Sequence, residues 1–180
     1  MQEDIEQRIS AIYHAHYQDV YYFLLHFTGN QNDAEDLTQE VFTRVLKGIA
    51  GFDGRVALKT WLFSIAKHAA IDQHRKQKIK SFFSENLLMK LATKEGSPEN
   101  VLTKRENARE LKQAIQKLAP HYRLVLILRC IEEYSVKETA EILGVSESKV
   151  KVNTHRALKL VKEMMDDTEE GGFLNEWARG

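Results

Sequence analysis

The 180-residue chain carries 26 Lys+Arg against 26 Asp+Glu, a formal net charge of zero, with 43% hydrophobic and 29% charged residues. That balance excludes global disorder, and Gly 9 with Pro 2 excludes a collagen-like or proline-rich chain. A single cysteine, Cys130, excludes an intramolecular disulfide and a cysteine-based zinc site; no apolar run approaches the roughly 20 residues of a membrane span, and the acidic start Met1-Gln2-Glu3-Asp4 is no secretory signal, so the expected compartment is the cytoplasm.

Apolar residues recur at helical spacing along most of the chain and strand signals are nearly absent, which predicts an all-α protein. Ile9, Ile12, Tyr13, Val20, Phe23, Leu24 and Phe27 mark a first amphipathic helix ending at Gly29-Asn30. Asn32 and Glu35 have the spacing of a capping box, which opens a second helix over Leu37, Val41, Phe42 and Val45, stopping between Gly48 and Gly51. Residues 1–54 hold three Lys/Arg against nine Asp/Glu, a net −6 that suits a basic or polar protein partner. The loop Phe52 to Leu58 leads into a third helix beginning near Lys59-Thr60-Trp61, with Leu62, Ile65, Ala66, Ala69 and Gln73 as its buried stripe. Residues 55–80 reverse the sign, with seven Lys/Arg against Asp72 alone, a net +6.

From Ser81 to Asn100 the periodicity decays through Phe82, Phe83, Leu87, Leu88 and Met89 to a break at Thr93–Pro98. About 20 residues is long for a structureless loop inside one domain, so two small helical domains joined by a flexible linker are expected. The expected boundaries are 1–80, a linker at 81–104, a second domain at 105–165 and an acidic tail at 166–180. Ser97 as N-cap and Pro98 in the first helical position start a helix through Val101, Leu102, Ala108, Leu111, Ile115 and Leu118. Pro120 restarts the chain into Leu124, Val125, Ile127, Leu128 and Ile131. Residues 107–162 carry eleven Lys/Arg against six Asp/Glu, a net +5, and residues 163–180 carry Arg179 against six carboxylates, a net −5. Two basic blocks point to two contacts with a polyanion.

The stretch Ser135 to Lys162 carries the most specific pattern. Ser135 and Glu138 form a capping box; Ala140 is small where a second helix must cross closely; Gly144 stands where positive φ stops the first helix; Ser146 caps the next. Val136, Leu143, Val145 and Val150 supply the shared apolar seam of a helix-turn-helix. On its second helix, Lys151, His155, Lys159 and Lys162 share one face, flanked by Lys149 and Arg156, with Val150, Ala157, Leu158 and Val161 inside. Such a helix fits the major groove of B-DNA, lysines on phosphates and Arg156 on a guanine edge. The other basic helix mixes cations with rings in Lys59, Trp61, Phe63, Lys67, His68, Arg75, Lys76 and Lys78, the composition of a single-strand groove. There Trp61 also reads as a core ring, Phe63 as core or partner-facing, and Arg75–Lys80 as a soluble helix end.

Three motifs in order, Asp33-Ala34-Glu35-Asp36-Leu37-Thr38-Gln39-Glu40-Val41-Phe42, then Lys59-Thr60-Trp61-Leu62-Phe63-Ser64-Ile65-Ala66-Lys67-His68 with Ile71-Asp72 and Arg75-Lys76, then the helix-turn-helix, resemble a bacterial RNA polymerase sigma factor of the extracytoplasmic-function (ECF) group. The resemblance spans residues of about 8–80 and 105–165. It implies a factor that binds core polymerase through its β′ and β subunits and directs it to promoters by recognising −35 and −10 elements and opening the DNA. The polymerase-binding residues it implies are Asp33, Asp36, Leu37, Gln39, Glu40 and Arg44. For the −10 element they are Arg55, Lys59, Trp61, Lys67, His68, Asp72, Arg75 and Lys76, and for the −35 element Ser148, Lys149, Lys151, Val152, His155, Arg156 and Lys159. The resemblance further implies an anti-sigma factor as partner, promoter DNA as ligand, and neither cofactor, metal nor membrane insertion. Two positions depart from the family pattern: His68 stands where Asn often takes a flipped base, and Val152-Asn153 where Ser-Arg is common.

Two other readings explain less. A stand-alone helix-turn-helix regulator accounts for residues 105–165 but leaves the acidic and ring-bearing helices idle. An enzyme lacks a site: Cys130 lies within the apolar helix Leu128-Arg129-Cys130-Ile131, His14, His16 and His26 lack metal-site spacing, and there is no Gly-rich phosphate loop. The expectation is therefore a non-enzymatic factor. In the tail, Phe173, Leu174 and Trp177 suggest a short docking helix as the alternative to a solvating acidic run.

Overall fold

The computed structural model describes residues 2–88 and 104–165, with side chains for 7–81 and 109–165. Every regular element among them is helical. The first domain comprises α1 (Gln2–Thr28), α2 (Gln31–Gly48), a 3₁₀ turn (Ile49–Gly51) and α3 (Leu58–Leu88). The second comprises α4 (Lys104–Lys117), α5 (Pro120–Leu126) running into a π-helical turn (Ile127–Ile131), α6 (Val136–Leu143) and α7 (Glu147–Met165).

The first domain closes around Val20, Phe23, Leu24 and Phe27 of α1, Leu37, Val41 and Val45 of α2, and Leu62, Phe63, Ala66 and Ala69 of α3. Each fully buried Leu, Phe or Val contributes about 1.5–3 kcal/mol relative to exposure. Gly29, at φ 70°, ends α1, and Asn30 turns the chain at once into α2. The cap of α2 is therefore Asn30, whose side chain accepts from the Asp33 N–H at 3.1 Å, and not the expected Asn32. A left-handed glycine completes the reversal in one residue, so α2 begins two positions earlier than the capping-box spacing suggests.

On α3, Leu62, Ala66 and Ala69 are buried as expected, together with Phe63, which is a core ring against Phe23 at 5.1 Å. Ile65 and Gln73 are only half-buried. The helix continues to Leu88, so the first residues read as linker are its last two turns. The Ser97 cap, Pro98, Val101 and Leu102 lie outside the described residues, as do Phe173, Leu174 and Trp177 of the tail. Pro120 occupies the first turn of α5, where its missing N–H costs nothing.

The second domain buries Ala114, Ile115, Leu118, Val125, Leu126, Ala140, Val150, Ala157, Leu158 and Val161. The two domains are not independent of each other. Leu124, Ile127, Leu128, Tyr134 and Ile142 of the second join the buried cluster of the first. Among the described residues no helix is long and apolar enough to cross a membrane.

Candidate nucleic-acid interface

The helix-turn-helix is held by local hydrogen bonds at each of its corners. The Ser135 hydroxyl accepts from the Glu138 N–H at 3.2 Å, and the Glu138 carboxylate accepts from the Ser135 N–H at 2.9 Å. These bonds to Ser135 hold the Glu138 carboxyl below its ordinary value. Gly144 ends α6 at φ 67°, its N–H bonded to the Ala140 carbonyl at 2.8 Å. Ser146 caps α7 by accepting from the Lys149 N–H at 3.2 Å.

The turn aims α7 so that Val150, Ala157, Leu158 and Val161 face inward. Ser148, Lys149, Lys151, Val152, His155, Arg156 and Lys159 are all exposed on the opposite side, so the expected −35 set forms one continuous face. Val152 is 46% exposed, an apolar group on this otherwise polar surface. Lys159 is paired with Glu163 at 3.7 Å, a surface contact worth little that a phosphate can replace.

The residues expected at the −10 element separate into two groups. Arg55, His68, Arg75 and Lys76 are exposed, Arg55 being paired with Asp53 at 2.9 Å. The Nδ1 of His68 lies 2.7 Å from the Ser64 carbonyl. A carbonyl only accepts, so Nδ1 carries a proton and donates to it, which leaves Nε2 as the ring's other polar atom. Trp61 is half-buried with its ring 4.9 Å from Phe52, bracing the loop before α3.

Three further residues of this set are engaged elsewhere. Lys59 pairs with Asp19 at 3.1 Å and lies over the Phe63 and Tyr134 rings at 5.8 and 5.7 Å. Lys67 is only 8% exposed and donates to the Leu143 carbonyl at 3.4 Å, and burial pulls its ammonium below the ordinary lysine value. Asp72 accepts from Arg44 at 3.2 Å.

On α2, Asp36 and Gln39 point freely to solvent. Asp33 accepts from Gln77 at 3.1 Å and from Gln73 at 3.5 Å, which ties it to α3. Leu37 corrects the expected docking set: at 2% exposure it is a core residue, because its spacing places it on the inner stripe with Ala34 and Val41. Arg44 bridges Glu40 and Asp72, so one guanidinium joins the acidic helix to the basic one. The two carboxylates raise its pKa against the opposing effect of burial, which is individually the largest influence.

Sequence reasoning passed over Arg123. It is 6% exposed and donates to the Phe27 carbonyl at 2.9 Å, the Leu118 carbonyl at 3.1 Å and the Gln116 carbonyl. Its guanidinium also lies 5.1 Å from the Phe27 ring. The available signal was an arginine directly before the apolar run Leu124-Val125-Leu126-Ile127-Leu128.

The described helices thus form two domains, one ending in an exposed basic helix and the other pairing an acidic helix with a basic one. Family models for Sigma-70 region 2 and Sigma-70 region 4 match residues 12–79 and 108–161. The chain is 39% identical to the ECF RNA polymerase sigma factor SigX of Bacillus subtilis (strain 168) over 90% of this chain and 86% of that protein. It is 37% identical to the RNA polymerase sigma factor YlaC of the same organism, over 90% and 95%. The fold is similar to the sigma factor RpoE of Bartonella quintana, solved in complex with the anti-sigma factor NepR, at TM-score 0.67 and 21% identity over 91% of this chain and 98% of that one. It is equally similar to CnrH, solved with the cytosolic domain of CnrY, at TM-score 0.67 and 20% identity over 91% and 90%. The chain belongs to the ECF RNA polymerase sigma factors, and its function is promoter-specific transcription initiation with RNA polymerase.

Proposed function

We propose a division of that function among named residues. The face of α2 carrying Asp36, Gln39 and Glu40 docks on core polymerase at its β′ subunit, with further contacts to β. Region 2, residues 1–80, takes the −10 element with Arg55, His68, Arg75 and Lys76, joined by Lys59, and by Lys67 when it is uncovered. Trp61 braces the loop, and Asp72 positions Arg44. Residues 105–165 bind the −35 element in the major groove through Ser148, Lys149, Lys151, Val152, His155, Arg156 and Lys159, and 81–104 connect the two.

The observation carrying this reading is the unbroken exposed face of α7 opposite its buried seam. Phosphate contacts supply salt-dependent affinity. Base-edge contacts set the register. Unstacking a −10 base costs a few kcal/mol, offset by its capture beside His68. With Nδ1 of His68 engaged by the Ser64 carbonyl, Nε2 is the ring atom left to meet a base edge.

The chain works in the cytoplasm with no cofactor, and an anti-sigma factor is among its partners. The complex of RpoE with the anti-sigma factor NepR supports that partner class. Run-off transcription with core polymerase tests the whole assignment. Promoter-dependent transcripts should appear only when this chain is added and should vanish when α7 carries Arg156→Ala with Lys151→Ala. Undiminished transcripts from that variant reject the −35 assignment.

A further inference from the structure

We infer that Val152 reads the 5-methyl group of a thymine in the −35 element, so that promoters used by this chain carry a T·A pair at one fixed position beneath α7. The inference deepens the proposed seating of α7 in the major groove and rests on that reading.

The first observation is where Val152 stands on the helix. Val150 before it and Val161 after it are fully buried, whereas Val152 is 46% exposed. At about 100° per residue, both separations turn Val152 to the far side of α7 from that buried seam. It is therefore the crest of the exposed face. Lys151 and His155 flank it on one side, Lys149 and Arg156 on the other, and all four are exposed. Val152 also lies in the second turn of α7, in the N-terminal part of a recognition helix that meets base edges.

The second observation is chemical. Val152 joins neither of the buried clusters that the described residues form, and a β-branched side chain is a poorer helix former than alanine. On this crest it is favoured only when an apolar group covers it. The floor of the major groove offers one such group: base edges there present hydrogen-bond donors and acceptors, and thymine alone adds a methyl. The cations around Val152 reach outward to phosphates, which holds the crest against the floor. Because a β-branched side chain is stiff at χ1, the methyl groups of Val152 are already fixed when the helix arrives, and little rotamer freedom is lost on contact.

Spacing adds a constraint. Arg156 follows Val152 by one turn, a rise of about 6 Å, or about two base-pair steps. The guanine assigned to Arg156 and the thymine assigned to Val152 therefore lie within about two base pairs of each other, on the same strand or on opposite strands.

The test uses holoenzyme assembled from core polymerase and the full chain, on a promoter mapped by its start site. Each thymine of the −35 element, on either strand, is replaced in turn by deoxyuridine, which removes the methyl group and keeps the base pair. Promoter binding is read by competition against the unmodified duplex. One replacement should weaken binding about fourfold, the contribution of one buried methyl group. Val152→Ser should bind the unmodified promoter about as weakly as the wild type binds that uracil duplex, and should no longer distinguish the two. Val152→Thr keeps one methyl group in a side chain of the same shape and should restore the distinction. Circular dichroism checks that both variants are folded, as expected for an exposed position. A wild-type holoenzyme indifferent to every replacement overturns the inference, and a Val152 that serves a protein partner instead gives that result. A methyl effect that survives in Val152→Ser overturns it too, since it then belongs to another side chain or to the stiffness of the duplex. Lys151→Ala with Arg156→Ala keeps the two readings apart. If that variant binds the promoter undiminished, α7 is not on the −35 element and both readings fall; if it binds weakly while no methyl counts, the seating stands and the Val152 reading alone falls.

Discussion

Arg156 is exposed near the middle of α7, and its fork matches a guanine edge. Arg156→Ala should cost about 1–3 kcal/mol on −35-dependent promoters and leave core binding intact, read by transcription competition between matched and mismatched −35 sequences. On α2 the residues divide by burial. Asp36→Lys should weaken retention on immobilised core polymerase without lowering thermal stability, since its carboxylate faces solvent. Leu37→Ala should do the reverse, lowering stability by about 2–5 kcal/mol in urea denaturation through a cavity in the core. Spacing put Leu37 and Asp36 in the same motif, but it could not tell which side of the helix a partner would see. The Arg44 bridge was equally hidden: Glu40 is its neighbour four residues away, whereas Asp72 lies 28 residues along the chain.

The turn of the helix-turn-helix was legible in full because its determinants are local. Ser135, Glu138, Gly144 and Ser146 act on backbone groups within four residues, so the tertiary structure had little to add. Gly144→Ala meets nothing within 4 Å of the added Cβ, so its cost is the left-handed backbone alone. It should destabilise by about 1–2 kcal/mol in chemical denaturation. Ser135→Ala removes one half of the capping box and should cost about 1 kcal/mol. The start of α2 was misplaced for a related reason. Asn30 and Asn32 are both good caps, and the choice fell to the left-handed Gly29, whose close approach to Gln116 belongs to the other domain. Element lengths were less visible still: α3 runs on past the point where apolar periodicity fades, since extending a helix already nucleated adds one hydrogen bond for each residue fixed.

At the scale of the molecule, the seam between the domains carries a pH dependence. Burial lowers the pKa of His26, with Lys112 adding to it, and burial, Arg123 and Lys78 lower that of His74. Glu132 faces His26 at 4.0 Å, but burial pushes its own carboxyl up, so both groups are driven toward neutrality. A histidine held below its ordinary 6.5 contributes stability that is complete above that value and is lost as pH falls through the lowered one. Glu132 has the opposite sign: its raised carboxyl contributes stability that is present at low pH and lost as pH rises through the raised value. The Tm should therefore fall between about pH 7 and pH 5.5, and His26→Gln with His74→Gln should flatten that slope. A wild-type Tm unchanged over the interval rejects the contribution. The chain by itself determined its helices, its capped helix-turn-helix and its alternating blocks of charge, because periodicity, caps and sign are properties of residues within a turn or two of one another. Only the tertiary structure decided which charged groups remain free. Lys67 and Leu143 are 76 residues apart, and no local pattern announces that the one covers the other. Burial is set by whatever element the fold brings across a position, so the same lysine reads as a DNA contact in the sequence and as an interdomain clasp in the folded chain.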